Sequence, residues 1–244
     1  MHYLDSGRGG NWPLTFSRYA GPGSHRYPVG FSGDTIVTWE SLAFQPQFTA
    51  TASNIGYGWW SHDIGGHMFG YRNEELEARW YQLGAFSPIN RLHSSNSPFS
   101  GKEPWNFNRD VSAAMVDALR LRHAMMPYLY TMNYRAAEAG RPLVEPMYWQ
   151  NPDTPDAYEV PDEFRFGTEL VVAPIVSPDD AAACRGRADA WLPQGEWFDF
   201  FDGRRYVSSD AAGRRLEVWR SLDRTPVFAK AGAIVPLQDV AESG

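Results

Sequence analysis

Three short apolar runs in the first part of the chain each end in a cluster of polar residues, and this repeat constrains the fold more than any other feature. The clusters are residues 32–34 (SGD), 61–67 (SHDIGGH) and 90–93 (NRLH), and helical patterns lie between them. In parallel α/β barrels, the loops at the carboxyl ends of the strands converge on one side of the sheet. We therefore expect an α/β fold in which the three clusters face a shared pocket.

The other local signals up to Gly140 are alternating strand and helix patterns. In chain order they predict a strand over residues 14–19, a loop over 21–28, a second strand ending at Gly33, a helix over 35–42, a buried strand over 53–60, a helix capped by Asn73 through Tyr81, a third apolar segment over 83–90 and a long helix from its N-cap Asp110 to Gly140. Because proline lacks an amide hydrogen, we expect the long helix to kink or divide at Pro127.

After Gly140 the pattern changes to short, proline-punctuated alternating runs, which predicts an all-β part. The apolar runs are residues 169–176, 190–201, 204–209, 214–222 and 226–237, and residues 177–189 are predicted to be a polar loop. The pair Asp202-Gly203 between two runs predicts a hairpin. The chain therefore divides near residue 140 into an α/β part and a β part.

Charge and composition exclude several function classes. The chain has 22 Lys and Arg against 29 Asp and Glu, a net charge of -7, and no basic block, so nucleic acid is not an expected partner. No apolar run approaches the roughly 20 residues of a membrane span, and the first residues do not resemble a signal peptide. Because Cys184 is the only cysteine, no internal disulfide can form, and we expect a cytoplasmic protein.

Aromatic residues are abundant, with ten Trp, twelve Tyr and fourteen Phe making up 15% of the chain. Flat aromatic faces stack on the C–H faces of sugars while polar groups bond the hydroxyls, so this composition is typical of sugar-handling proteins. The alternative is that these aromatics only fill the core.

The polar clusters bring two carboxylates and a histidine to the expected pocket, namely Asp34, Asp63 and His93. Two carboxylic acids on either side of a glycosidic bond can divide its hydrolysis between a proton donor and a group that meets the anomeric carbon. The residues alone leave alternatives open, because Gly-Asp-Thr is ordinary turn chemistry for Asp34 and His93 fits equally a merely hydrogen-bonded histidine.

A metal site was also considered, for His62, Asp63 and His67. The five-residue step between the two histidines is not the one-face helical spacing of zinc hydrolases, and no cysteine assists. The sequence therefore predicts neither a metal nor a cofactor.

Four segments make the chain recognisable. They read RYAGPGSHRYPVGFSGDTIVTWESL, GYGWWSHDIGG, FSPINRLHSS and LRLRHAMMPYLYT, in that order. Together they resemble glycoside hydrolase family 31, whose members are retaining α-glycosidases, mostly α-glucosidases and α-xylosidases, and the likeness runs from about residue 14 to 237. It implies that residues 1–140 are the C-terminal half of a (β/α)₈ TIM barrel, strands six to eight with their helices, and that residues 141–244 form an all-β sandwich.

The resemblance also implies roles for the site residues. The family acid/base motif W-S-G-D reads Phe31-Ser32-Gly33-Asp34 here, so Asp34 matches the acid/base and Phe31 stands where tryptophan is common. Phe31 keeps an aromatic wall for the sugar, and the remaining matches are also positions expected to contact sugar: Arg18, Trp59, Trp60, Asp63, His67 and His93. His67 stands where many members have phenylalanine, and for the tryptophan pair stacking on sugar and packing in the protein remain equal alternatives.

The family nucleophile is an aspartate upstream of the matching region, and neither Asp5 nor any other residue fits its motif. We therefore expect this chain to be one part of a larger enzyme. Because the chain lacks the nucleophile, it should have little activity alone. Open sheet edges would favour association, and the expected partner is the missing N-terminal half or a second copy of the chain. The expected substrate is an α-glucoside. The alternative is a non-catalytic carbohydrate-binding or assembly protein.

Overall fold

The computed structural model describes residues 15–18, 20–26 and 29–240. The predictions made for Asp5, for the other residues before 15, and for Tyr19, Tyr27 and Pro28 lie outside the described residues.

The described part contains four α-helices and eleven strands. The helices are α1 (Trp39–Ala52), α2 (Glu74–Ala85), α3 (Arg109–Ala124) and α4 (Met126–Ala139). The strands are β1 (Phe16–Ser17), β2 (Val29–Phe31), β3 (Trp60–Ser61), β4 (Val144–Pro146), β5 (Phe164–Phe166), β6 (Leu170–Val172), β7 (Gly186–Leu192), β8 (Gly195–Asp199), β9 (Arg205–Ser208), β10 (Arg214–Arg220) and β11 (Val227–Lys230).

The first three strands form a parallel sheet in the order β1-β2-β3. Two single parallel bridges continue the same arrangement beyond the strands, between Ile36 and Met68 and between Ile64 and Leu92. The segments after β2 and β3 therefore leave the sheet at its carboxyl edge and run side by side, and the segment around Leu92 joins them. This is the arrangement that the repeated polar clusters predict.

Two sequence predictions for strands are wrong in their extent. Only Trp60 of the segment 53–60 lies in a strand, and residues 53–55 form a 3₁₀ turn. The apolar segment 83–90 begins inside α2, which extends to Ala85 and is buried at every position from Leu76 onward.

Side-chain caps set the helix starts. α1 begins at Trp39 rather than at residue 35, because the Thr38 side chain caps it and accepts from the amide of Ser41 at 3.2 Å. Asn108, not Asp110, caps α3, since its side-chain oxygen accepts from two amides of the first turn at 3.1 Å. Thr and Asn are favoured N-caps because their oxygens satisfy amides that the helix leaves unpaired.

Two predicted helix ends are wrong, since α1 continues to Ala52 rather than to residue 42 and α2 continues to Ala85 rather than to Tyr81. Three other predicted helix boundaries are confirmed. The Asn73 side chain accepts from the amide of Leu76 at 2.9 Å and caps α2. The long helix divides before Pro127, which lies in the first turn of α4, and α4 ends at Gly140 in the left-handed conformation, with φ 65°.

The β part consists of a six-stranded antiparallel-paired sheet, in the order β4-β5-β6-β11-β8-β9, and a two-stranded ribbon of β10 and β7. The predicted hairpin at Asp202-Gly203 is confirmed, since β8 and β9 pair on either side of it and Gly203 has φ 72°. The predicted loop 177–189 is wrong at its end, because Gly186 to Asp189 pair with β10.

The α/β part and the β part share a hydrophobic core that extends from Val37 to Val227. Arg79 of α2 is buried beside this core. Its guanidinium donates to the carbonyls of Ser221 and Arg224 and pairs with Asp179 at 2.8 Å. These bonds fix α2 against the β part. Over the described residues, no helix combines the length and the apolarity that crossing a membrane requires.

Candidate functional site

Asp34 lies three residues after the end of β2, on a glycine corner. Gly33 has φ 69°, a conformation that side chains rarely adopt, and a β-carbon there would overlap Nε of Arg18. Glycine therefore lets the Arg18 side chain lie against the backbone beside Asp34. The Asp34 side chain is 40% exposed, so its carboxyl is open to a ligand.

Asp34 and Arg18 line a hollow of about 630 Å³. The same hollow is lined by three aromatic residues, Trp60 and Phe44 and Phe48 of α1, and by Glu40. Small-molecule sites in proteins have roughly this volume and combine apolar walls with a few polar groups. The hollow can therefore accept a ligand of sugar size.

Asp63 is placed differently, since its side chain is completely buried. One oxygen accepts from the amide of Thr35 at 3.3 Å, and the other pairs with the Arg91 guanidinium. The Asp63 amide in turn donates to the Ser32 hydroxyl at 3.2 Å. Asp63 therefore connects the segments after β2 and β3 and holds Thr35, the neighbour of Asp34, in place.

Arg91 is a site residue that the sequence analysis did not single out. Besides Asp63, it bonds the Ser61 hydroxyl at 3.1 Å, and its guanidinium lies 5.3 Å and 5.5 Å from the ring centres of Phe16 and Phe31. The two rings stack on each other with centres 4.3 Å apart. Arg91 thus joins three strand segments, and Phe31 packs under it as part of this layer. The sequence feature that could have identified Arg91 is its position in the polar cluster 90–93 (NRLH).

His67 and His93 lie together beside Asp34. Their rings stack with centres 4.4 Å apart, and Nε2 of His67 is 3.9 Å from Oδ1 of Asp34. Burial lowers the pKa of His93, Asp63 and Asp34 raise it, and Arg91 and His67 lower it further. The net lowering favours a neutral His93 that can bond a hydroxyl.

The loop that carries His67 is held from below by a buried ion pair. Lys102 Nζ donates to the carbonyl of Gly65 at 2.7 Å and to Glu77 of α2 at 3.2 Å. Gly65 has φ 85°, and a β-carbon there would overlap the Glu77 carboxylate. The polar cluster 61–67 therefore needs glycine at position 65, because a side chain there would collide with Glu77 of the ion pair.

His62 is not one of the residues that cluster with His67 beside Asp34. Its ring is fully buried, Nδ1 accepts from Nε1 of Trp80 at 3.1 Å, and Nε2 is 2.7 Å from the Ser87 hydroxyl. Burial, helped by the charge of Arg91, lowers the pKa of His62 to about 3. His62 is a neutral structural residue between β3 and α2.

Trp59 and Trp60 lie in different surroundings, and only Trp60 belongs to a strand. Trp60 lines the hollow of Asp34 and packs on Phe48, with ring centres 4.5 Å apart. Trp59 is 41% exposed, and its indole donates to Asn133 of α4 at 3.1 Å, outside the lining of that hollow.

The structure thus brings the predicted residues together around Asp34 in two groups. Arg18 and Trp60 share its hollow, whereas His67 and His93 lie close to Asp34 but outside the lining of that hollow. Within the part of the chain that is described, Asp34, His67 and His93 also offer one ligand atom each within 4.8 Å of one another, as a metal site would. Asp63 and Phe31 support this arrangement from beneath, and Trp59 lies apart.

Comparison with known protein families assigns both parts of the chain. Residues 2–132, more than half of the chain, match the model of the glycosyl hydrolases family 31 TIM-barrel domain. Residues 140–235 match the model of the family 31 C-terminal domain. The order of the two domains agrees with the change from α/β to β architecture.

Named relatives and solved structures agree with this match. Alpha-glucosidase 2 of Bacillus thermoamyloliquefaciens is 31% identical over 96% of this chain and 28% of its own length, and an alpha-xylosidase of Saccharolobus solfataricus is 30% identical over 92% and 30%. A family 31 dextranase from Flavobacterium johnsoniae, solved with isomaltotriose, superposes with a TM-score of 0.86 at 27% identity, over 98% of this chain and 29% of the dextranase. The chain spans less than a third of the length of these relatives.

Proposed function

The chain belongs to glycoside hydrolase family 31, and from that premise we propose that its strand-end cluster is part of the sugar site of a retaining α-glycosidase. The observation that carries the proposal is the placement of Asp34. Its half-exposed carboxyl borders a hollow of about 630 Å³ together with Arg18 and an aromatic wall. α-Glucosides are the proposed substrates, because relatives of this chain include α-glucosidases.

In the proposed mechanism, Asp34 is the acid/base. It protonates the departing glycosidic oxygen in the first step and removes a proton from the attacking water in the second. Arg18 offers a planar set of N–H donors at the edge of the hollow, suited to a sugar hydroxyl and to the Asp34 carboxylate. His93, neutral at working pH, bonds a further hydroxyl from the other side.

The nucleophile in this proposal comes from outside the chain. Asp63 is the other aspartate of the cluster, but its two oxygens are bonded to the Thr35 amide and to Arg91 and its side chain is fully buried. It cannot reach an anomeric carbon in this arrangement, so its role is to hold Thr35 and Arg91. This agrees with the absence of the family nucleophile motif from the sequence.

The proposed architecture follows from the same premise. Residues 1–140 would supply barrel strands six to eight with their helices, and residues 141–244 the all-β sandwich. The parallel order β1-β2-β3, the parallel bridge to Leu92 and the antiparallel pairing of the later strands support these two assignments.

Kinetics of an Asp34→Ala variant test the role of Asp34. The enzyme for this test joins the chain to the preceding barrel part of a family 31 α-glucosidase, which supplies the nucleophile. Loss of general acid catalysis should slow the glycosylation step about 10²–10⁴-fold for substrates with poor leaving groups. Aryl glucosides with good leaving groups need little protonation and should keep that step nearly unchanged. An equal loss for both classes would contradict the role.

The second candidate is a carbohydrate-binding or assembly protein without catalysis, which the missing nucleophile motif favours. Genomic DNA upstream of Met1 separates the two candidates. An in-frame barrel half with an aspartate nucleophile supports the enzyme, and a stop codon closing that frame supports the binding protein.

A further inference from the structure

We propose that Asp34, His67 and His93 form a binding site for one divalent transition-metal ion, of which Zn²⁺ is the best-suited example. The three residues come from three separate strand-end clusters, and their ligand atoms all lie within 4.8 Å of one another. His62 and Asp63, which lie near His67 in the sequence, are not available to this site, because their polar atoms are occupied by protein partners.

The ligand atoms are spaced more widely than in an occupied site, up to 4.8 Å apart, and the stacked rings of His67 and His93 must rotate before their nitrogens converge on one ion. At the tetrahedral angle and with metal–nitrogen distances of about 2.0–2.1 Å, two ligands on one Zn²⁺ lie roughly 3.3 Å apart. Nε2 of His67 and Oδ1 of Asp34 are 3.9 Å apart. Rotations of exposed or half-exposed side chains close such a difference, and they require no movement of the backbone.

The donor set selects the class of ion. Two imidazole nitrogens and one carboxylate oxygen suit Zn²⁺, Co²⁺ and Ni²⁺, whereas Mg²⁺ and Ca²⁺ prefer sites made of oxygen ligands. Three protein ligands also leave a fourth position open for water or a sugar hydroxyl, as in zinc sites that bind small molecules.

One polar atom of the site has no protein partner. Nδ1 of His67 is buried, and among the described residues nothing accepts from it or donates to it. Buried polar atoms are nearly always bonded, so an unpaired one at a cluster of ligand atoms needs a partner. With Nε2 of His67 on the ion, a water molecule that accepts from Nδ1–H supplies this partner and fixes the tautomer in which Nε2 can bind the ion.

The site has a regulatory consequence, and this consequence, unlike metal binding itself, rests on the proposed function. An ion bound to Asp34 occupies the carboxyl oxygen that exchanges the proton, and an ion bound to His93 removes a hydroxyl ligand. Metal and substrate then compete for the same side chains, so transition-metal ions inhibit the enzyme that contains this chain.

Cobalt binding tests the proposal directly on the chain as it is. Co²⁺ titrated into the metal-free chain should give visible absorption bands of a low-symmetry complex that saturate at one ion per chain, and Zn²⁺ should displace it. His67→Phe, which keeps an aromatic ring of similar shape, should weaken binding about tenfold or more, as should His93→Gln and Asp34→Asn. His123→Phe, an exposed histidine on α3, is the matched control and should bind like the parent.

Circular dichroism of each variant shows whether it keeps the fold. If one of the three ligand variants unfolds, the other two provide the test. No saturable binding to the folded chain would overturn the proposal, as would binding that survives all three ligand substitutions or is lost in His123→Phe. Because the measurement needs no turnover, metal binding can be established or refuted independently of the glycosidase activity.

Discussion

At the scale of single residues, the site depends on groups whose neighbours decide their chemistry. Asp34 and Asp63 are both carboxylates at strand ends, yet Asp34 is open to a hollow and Asp63 is enclosed by Thr35 and Arg91. Likewise, His67 faces Asp34 whereas His62 is sealed between β3 and α2. The same residue type is therefore available for a ligand in one place and structural in the other.

His62 should remain neutral over the physiological range, with its proton on Nε2. The indole of Trp80 can only donate, so Nδ1 of His62 must be the acceptor, and Nε2–H then donates to Ser87. Since the pKa is lowered from 6.5 to about 3, the folded state binds this proton less tightly than the unfolded state. The stability that this contributes is present above about pH 6.5 and is lost as the pH falls toward 3.

Long-range ¹H–¹⁵N correlation spectra of the histidine rings measure both properties. We expect the Nε2–H tautomer for His62 and no titration of its signals between about pH 7 and 5. A Nδ1–H tautomer, or a midpoint inside that interval, would show that the bond to Trp80 is wrong.

At the scale of elements, the glycine-rich loop after β3 is fixed by a buried ion pair under it. Lys102 reaches both the Gly65 carbonyl and Glu77 of α2, and the neighbouring residue His67 takes its position from this support. Burial raises the pKa of Glu77, and the charge of Lys102 counteracts this. Breaking such a pair by removing one partner leaves a buried charge without compensation.

Lys102→Met should therefore lower the free energy of unfolding by about 3–5 kcal/mol, as loss of one partner of a buried pair typically does. The double variant Lys102→Met with Glu77→Gln removes both charges and should recover a large part of that loss. Urea unfolding midpoints of the parent and the two variants measure the difference. If the single variant is as stable as the parent, the ion pair does not support the loop.

The elements also show how far the sequence could be read. The repeated run-and-cluster pattern predicted the parallel strand ends, and local rules gave the cap at Asn73, the break at Pro127 and the end at Gly140. The start of α3 was misplaced because Asn108 and Asp110 are equally good caps in sequence, and only the bonds made by Asn108 decide between them.

The site residues that belong to sequence motifs could be predicted. The contacts between residues far apart in the sequence could not. The Lys102 to Glu77 pair joins residues 25 apart, and the Arg91 to Asp63 pair joins residues 28 apart. No local pattern reports such pairs. The strand-end clusters did predict a shared pocket for Asp34 and His93, but nothing in the spacing predicted that His67 stacks on His93 beside Asp34.

At the scale of the whole molecule, the proposed function needs two sides of a catalytic site, and we propose that this chain brings the side that carries Asp34. The edge strand β1 carries Phe16, which is 46% exposed, and the chain spans less than a third of the length of its relatives. In the proposed enzyme, the preceding barrel strands cover this edge and place a nucleophile across the hollow from Asp34. The acid/base can then be assigned only in an enzyme that contains both sides.

Azide rescue of Asp34→Ala in that joined enzyme tests the assignment most directly. When the acid/base is missing, the glycosyl-enzyme intermediate forms from an activated α-glucoside but waits for deprotonated water. Azide needs no general base and attacks this intermediate, so the account predicts a faster reaction and an α-glucosyl azide, the product of two inversions. A β-glucosyl azide would identify Asp34 as the nucleophile instead, and no rescue together with unchanged hydrolysis would remove it from the reaction.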